Sequence, residues 1–220
     1  GPRGEDGRIQ GLFDMLNIPY VGSGCAASAL AMDKVRSKMI AREVGIPLAP
    51  DVIFSQAAWE AGPDAVCEDV QGKLGFPCVV KSPWQGSSLG MGIPHDEDAF
   101  REAVEECLAY GRIVLVEKFV TGIEFACSVL DVEEGVEPIG LPVTEIRPAT
   151  KGFFDYHSKY TPGASVEITP AEIGDELTQE LQEIAVRAHK AVGCRGFSRS
   201  DIIANDSGFV WLEINTLPGM

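Results

Sequence analysis

An α+β fold of mixed α/β character is predicted from three observations. Apolar residues recur at helical spacing in several stretches. Short apolar runs lie between them and read mostly as antiparallel strands. The 220 residues are 45% hydrophobic and 23% charged, as in a globular chain rather than a disordered one. That length suits one or two domains and can bury a core.

The elements follow in order. Gly1-Pro2-Arg3-Gly4-Glu5-Asp6-Gly7 is turn-rich, and Ile9, Leu12, Phe13 and Leu16 then repeat at helical spacing until Asn17-Ile18-Pro19 stops the helix. Tyr20-Val21 reads as a short strand. A second helix is predicted over residues 25–44, closed by Gly45 and Pro47. A weaker helical region over 56–74 leads to Gly75-Phe76-Pro77 and to a strand, Cys78-Val79-Val80-Lys81, that carries a lysine. The loop Gln85-Gly86-Ser87-Ser88-Leu89-Gly90-Met91-Gly92 follows, then a helix over 96–110 and strand-like runs over 113–118, 124–132 and 138–146. Residues 147–163 mix aromatic and charged side chains over a stretch too long for a connector, which makes them a candidate lid. A helix over 175–192 precedes two last strands, 197–204 and 209–214. The domain boundary falls near the strand containing Glu117.

Charge narrows the function classes. Eighteen Lys plus Arg against 33 Asp plus Glu give a net charge of −15, which argues against nonspecific binding to nucleic acid or to an anionic membrane. No apolar run approaches the ~20 residues of a membrane span, and no signal peptide opens the chain. The cysteines at 25, 67, 78, 107, 127 and 194 are scattered without a Cys-x-x-Cys pair. Most sit in apolar surroundings, which reads as free buried thiols in a reducing, cytoplasmic compartment rather than as a disulfide framework or zinc site.

Two motifs invite misreading. Gly22-Ser23-Gly24-Cys25-Ala26-Ala27 fits a dinucleotide fingerprint, but the acidic residue expected some 20 positions on should end a strand, and that region is helical. The competing reading is a tight turn before a helix. Gly86-Ser87-Ser88-Leu89-Gly90 fits a nucleophile elbow, yet four residues separate strand from glycine, and Met91-Gly92-Ile93-Pro94 cannot begin a helix. The same loop makes a phosphate cradle, with backbone N–H groups, two hydroxyls and Lys81 on the entering strand. A plain flexible hairpin is its structural alternative.

The C-terminal hairpin carries a stronger constellation. Asn205-Asp206-Ser207-Gly208 is a turn, and a centre near residue 207 sets Asp201 opposite Glu213 and Arg199 opposite Asn215, all on one sheet face. Two opposed carboxylates repel unless a cation lies between them. With the Asn215 carbonyl they form a hard oxygen set suited to Mg²⁺. The alternative, a solvated strand face, sits poorly with Ile202, Ile203, Trp211, Leu212 and Ile214 around it. Val114-Leu115-Val116-Glu117-Lys118-Phe119-Val120 adds a strand turning into a linker whose backbone could read adenine, with Glu124 placed for ribose hydroxyls. Together these describe ATP-dependent phosphoryl transfer.

At this point the chain resembles the D-alanine–D-alanine ligases of the ATP-grasp superfamily. The resemblance runs through Gly4-Glu5-Asp6-Gly7, Ala31-Met32-Asp33-Lys34, Val80-Lys81, Gly86-Ser87-Ser88-x-Gly90, Glu117-Lys118, Glu124-Phe125, Asp155-Tyr156-x-x-Lys159-Tyr160, Arg199-x-Asp201 and Glu213-x-Asn215-Thr216-Leu217-Pro218-Gly219-Met220. It implies two α+β subdomains holding ATP between them: 31–117 as the first, 118–220 as the second, and 1–30 as the end of an N-terminal α/β domain. It further implies that the family continues beyond this chain at both ends. By the same resemblance Lys34, Lys81 and Lys159 bind phosphates, with Ser87 and Ser88 in the loop. Glu117, Lys118, Phe119, Val120 and Glu124 hold adenine and ribose. Asp201, Glu213 and Asn215 hold two Mg²⁺ ions, which Mn²⁺ can replace. Ser87 and Tyr160 latch the lid, and Arg199 with the Gly219 N–H stabilises the tetrahedral intermediate. The implied substrates are ATP and D-alanine, and the implied assembly is a homodimer. Lys159 and Tyr160 favour a dipeptide over D-alanyl-D-lactate, whereas Gln85 and His157 depart from the family pattern and leave D-alanine and D-serine both open as acceptors.

Overall fold

The computed structural model describes residues 3–86, 89–133, 135–148 and 165–218. Among them the chain builds two antiparallel sheets, each with its own apolar core. The mixed α+β class is the one predicted.

Helix α1 (Arg8–Leu16) ends on Asn17 in the left-handed conformation. Tyr20 and Val21, predicted as a strand, form none; Val21 is 83% exposed, and the Tyr20 hydroxyl donates to Asp14 Oδ1 at 2.9 Å. Two residues without a neighbouring strand have no ladder to join. The helix expected over 25–44 is two helices, α2 (Cys25–Met32) and α3 (Lys34–Glu43). Asp33 breaks them apart. Its backbone is extended and its carboxylate accepts from the Arg36 N–H, an N-cap that starts α3 afresh. Strand β1 (Asp51–Ser55) lies where the sequence reading places no element, although Val52 and Phe54 alternate inward there. The helical region over 56–74 is likewise two helices, α4 (Gln56–Ala61) and α5 (Pro63–Lys73), broken at Gly62 with Pro63 opening the second.

The first sheet has the order β1-β3-β2, with β2 (Cys78–Lys81) and β3 (Ile113–Lys118) antiparallel. Helix α6 (Glu97–Leu108), capped by the Asp96 carboxylate, helps cover one face, where Cys78, Val80, Val114 and Val116 meet Trp59, Phe100 and Val104. Period-two alternation therefore turns Val79, Lys81, Leu115 and Glu117 to the other face.

The second sheet comprises β4 (Ile123–Asp131), β5 (Ile139–Gly140), β6 (Thr144–Pro148), β7 (Ser165–Ile168), β8 (Gly196–Asn205) and β9 (Gly208–Asn215). Its path is β7-β6-β4-β8-β9, with β5 added beside β4. The run predicted over 138–146 thus divides into β5 and β6, and β7 was not foreseen. Helix α7 (Asp175–Val192) lies over this sheet through Leu181, Ile184, Ala185 and Ala188, packed with Phe125, Cys127, Ile202 and Trp211. Ala27, Ala31 and Ala41 join the same core. Helices α2 and α3 thus pack with the second sheet although they precede the first in sequence.

The hairpin register depends on a bulge. The turn residues are Asp206 and Ser207, and pairing runs from Asn205↔Gly208 to Ile202↔Trp211. An irregularity between Asp201 and Ile202 then admits Leu212 as an extra residue, after which Asp201 pairs with Glu213 and Arg199 with Asn215, as predicted. Without it, alternation would put Glu213 on the same side as buried Trp211. With it, Trp211 enters the core, where its Nε1 donates to Ser200 Oγ at 3.1 Å, and Glu213 faces away.

The glycine pattern at 22–24 is a packing device. A Cβ on Gly196, at φ 77°, would meet the Gly22 backbone at 3.2 Å, and Arg195 donates to the Gly22 carbonyl and stacks over Tyr20. Gly193 has the same φ but open space around it. Gly193→Ala is expected to cost about 1 kcal/mol from the left-handed backbone alone. Gly196→Ala should cost about 2–3 kcal/mol, because strain and contact add. Urea midpoints of the two variants test this, and equal losses would remove the close-approach argument.

Candidate functional site

A cavity of about 980 Å³ lies between the two sheets. Its walls are the inward faces that alternation assigns: Val79 and Lys81 of β2 on one side, Ala126, Ser128, Arg199, Asp201, Ile203, Val210 and Leu212 on the other. Lys118, Phe119, Val120, Thr121 and Gly122, which carry the chain from β3 to β4, close one end. Eleven of the sequence-predicted residues line this one space: Lys34, Lys81, Glu117, Lys118, Phe119, Val120, Glu124, Arg199, Asp201, Glu213 and Asn215. Ser87, Ser88, Lys159, Tyr160 and Gly219 lie outside the described residues, as does most of the stretch read as a lid.

Beside the cavity a buried carboxylate lies between two ammonium groups. Lys38 of α3 pairs with Oε1 of Glu117, and Lys81 of β2 pairs with Oε2. Glu117 is 3% exposed and Lys38 1%. Burial works against the charge on Glu117, but the Lys81 and Lys38 ammonium groups outweigh it and hold the carboxyl down at about 2. Burial likewise pulls the Lys38 ammonium below its usual range, opposed by Glu117. Sequence reasoning missed Lys38 because a lysine inside a helix reads as solvated surface. Its signal was the spacing: Lys34 and Lys38 stand four apart, on one face of α3.

Lys34 staples the loop to the hairpin. Its Nζ lies 3.1 Å from Glu213 Oε2 and donates to the Gln85 carbonyl at 3.0 Å. The loop returns to the sheet through paired hydrogen bonds between Val80 and Gly92, both 2.9 Å, and no helix follows until α6. The elbow geometry is therefore absent among the described residues.

On the hairpin, Arg199 Nε and Nη2 donate to Asp201 Oδ1 and Oδ2 at 2.9 and 3.2 Å, and Asn215 Nδ2 donates to Oδ2 at 3.2 Å. Burial pushes the Asp201 carboxyl up to about 6, with Glu213 and Glu124 adding to the rise and Arg199 opposing it. Among the described residues no three His, Cys, Asp or Glu side chains converge as a metal cluster. The donors available are two carboxylates and one amide, all able to offer oxygen, which fits a small hard cation sharing its shell with water and phosphate oxygens. Val79, Met91 and Ile93 on one side and Ile203, Val210 and Leu212 on the other form apolar walls suited to a flat ring. These walls were not singled out from the sequence, since single apolar residues on strands give no site signal. No described helix is long and apolar enough to cross a membrane.

The family described as "D-ala D-ala ligase C-terminus" matches residues 40–220. A D-alanine–D-alanine ligase of Desulforudis audaxviator is 44% identical over 221 residues, across all of this chain and 69% of that protein. The corresponding ligase of Syntrophobacter fumaroxidans is 44% identical over 222 residues and is covered to 68%. Among solved structures, the VanG D-Ala:D-Ser ligase from Enterococcus faecalis superposes on the whole chain with a TM-score of 0.84 at 36% identity, and the chain spans 62% of it. A D-alanine–D-alanine ligase from Bacillus anthracis complexed with ATP gives a TM-score of 0.77 at 29% identity, with 65% of it covered.

The buried Glu117 gives a pH signature. Its carboxyl is held below the ordinary value of 4.5, so its ion pairs stabilise the fold above pH 4.5 and are lost as pH falls toward 2. Glu117→Gln should lower stability at pH 7 yet flatten the fall in Tm between pH 4.5 and 2. Thermal unfolding across that window checks it, and parallel slopes would contradict the assignment.

Proposed function

The chain belongs to the D-alanine–D-alanine ligase family, and from that premise we propose that it forms the nucleotide and metal site of an ATP-dependent ligase joining two D-alanines, for peptidoglycan precursor synthesis. The observation that carries the reading is one cavity lined at the same time by Lys34 and Lys81, by the segment that joins β3 to β4, and by the facing carboxylates Asp201 and Glu213. ATP would lie between residues 31–117 and 118–220, its base between the apolar walls and against the backbone of Lys118, Phe119 and Val120. Glu124 is placed for the ribose. Glu117 contributes backbone at the end of β3, because its carboxylate is committed to lysines.

The chemistry follows in two steps. A carboxylate oxygen of the first D-alanine attacks the γ-phosphorus, the bond to the bridging oxygen breaks, and ADP leaves. The free amine of the second D-alanine then attacks the carbonyl of the acyl phosphate, loses a proton, and inorganic phosphate departs. Lys34 and Lys81 offset the repulsion between the carboxylate and the triphosphate, and Arg199 lies on the cavity wall to stabilise the developing oxyanion. Asp201, Glu213 and Asn215 would hold Mg²⁺, which when bound neutralises phosphate charge. Ser87, Lys159, Tyr160 and Gly219 take the roles the family resemblance gives them, with Lys159 and Tyr160 closing over the reactants to exclude water. The 36% identity to a D-Ala:D-Ser ligase keeps D-serine as a second acceptor.

Phosphate release with ATP and D-alanine, in the protein carrying this chain, tests the proposal. D-alanine-dependent ADP formation is expected, and Asp201→Ala or Glu213→Ala should lower it by about a hundredfold or more. Comparing D-alanine, D-serine and D-lactate as acceptors identifies the product. Near-normal turnover in either variant would overturn the metal assignment.

A further inference from the structure

Lys38 takes no part in the chemistry above, yet it is among the most deeply buried charged groups of the described chain. It lines no wall of the cavity and cannot reach a ligand there. Burying an ammonium group is costly unless a specific partner compensates it, so its position calls for a role. Its partner is Glu117, whose other oxygen is held by Lys81. Lys81 does line the cavity. Asp51, across the ladder from Glu117, also attracts Lys38 but is itself paired with Arg42 at 2.8 Å, so the cluster keeps one surplus positive charge, and the member that faces the cavity is Lys81.

We propose that Lys38 is a positioning residue for the nucleotide site: by claiming one oxygen of Glu117 it keeps that carboxylate from neutralising Lys81, so that Lys81 presents positive charge to the triphosphate. The inference rests on the nucleotide reading given above. Lys81 needs a carboxylate to fix its long side chain at the buried end of β2, but a private ion pair would cancel the charge the site requires. A shared carboxylate fixes the side chain and leaves the charge. The arrangement also places the control on α3, whose neighbouring turn carries Lys34 into the same cavity, so one helix sets both cations.

Three variants separate the effect of charge from that of packing. In Lys38→Met the cluster is neutral, in Lys38→Met/Glu117→Gln its single positive charge returns, and in Glu117→Gln the carboxylate no longer shields Lys81. Calorimetric titration with ATP and Mg²⁺, and separately with adenosine, reads the outcome. Lys38→Met should weaken ATP about tenfold, as loss of one favourable charge interaction near a buried anion site would, and leave adenosine within about twofold. The double variant should recover ATP affinity to within about threefold of wild type. Should Lys38→Met fail to fold, Glu117→Gln decides the matter: ATP binding at least as tight as wild type supports the inference, and weaker binding overturns it. An unchanged ATP affinity in folded Lys38→Met overturns it, as does an equal loss for adenosine, which would mark a purely structural lysine. Wild-type protein that binds neither ATP nor adenosine defeats the nucleotide reading itself and this inference with it. Wild type that binds both while Lys38→Met matches it defeats the inference alone.

Discussion

Glu117 sits where the two halves of the molecule meet: one of its ion pairs lies within the first sheet and the other ties that sheet to α3. Lys81 reaches it along the first sheet, from a diagonal position on the neighbouring strand. Lys38 reaches it from α3, a helix whose Ala41 lies in the core of the second sheet. The carboxylate is thus a shared anchor for a strand, a helix and the start of the linker. Removing the carboxylate of such a set leaves buried ammonium charge uncompensated, at a cost of about 3–5 kcal/mol. The Lys118–Gly122 segment that closes one end of the cavity begins at the next residue.

The two sheets make the site by different means. In the first, strict alternation suffices: Cys78 and Val80 go to the core, and Val79 and Lys81 to the cavity. In the second, alternation alone would fail, since Trp211 and Glu213 are two residues apart and must face opposite ways. The bulge at Leu212 resolves the conflict by adding one residue, which also gives the cavity an apolar wall. Charge is then balanced locally. Arg199 answers Asp201, Lys34 answers Glu213, and the net charge of −15 is irrelevant to a site that needs only its nearest cations.

Much of this was legible in the sequence where local chemistry is decisive. The helix over Asp175–Val192, the strand ending at Lys81 and the hairpin pairing of Asp201 with Glu213 follow from periodicity and turn residues. The hairpin register came from a turn placed half a residue too late, and the unforeseen bulge compensates for that offset. The break at Asp33 was missed because an N-cap inside an apolar periodic run looks like helix on both sides. Strand β1 was missed because five residues with two inward side chains give a weak signal. The glycine motif at 22–24 was rightly set aside as a dinucleotide site: such a motif is written for close backbone approach, and here the backbone approaching Gly22 is that of Gly196 rather than a phosphate. Lys38 was invisible because burial is a property of the assembled fold, and nothing in its own segment announces it.

On the proposed reading, a carboxylate divided between two lysines holds the cavity ready for a triphosphate. A crystal structure of the protein with Mg²⁺ and a non-hydrolysable ATP analogue tests it most directly. The base is expected between Val79, Met91 and Ile93 on one side and Ile203 and Leu212 on the other, with phosphate oxygens within hydrogen-bonding reach of Lys34 and Lys81, and Lys38 still paired with Glu117. A nucleotide bound outside this cavity, or Glu117 turned onto the ribose with Lys38 released, would contradict it.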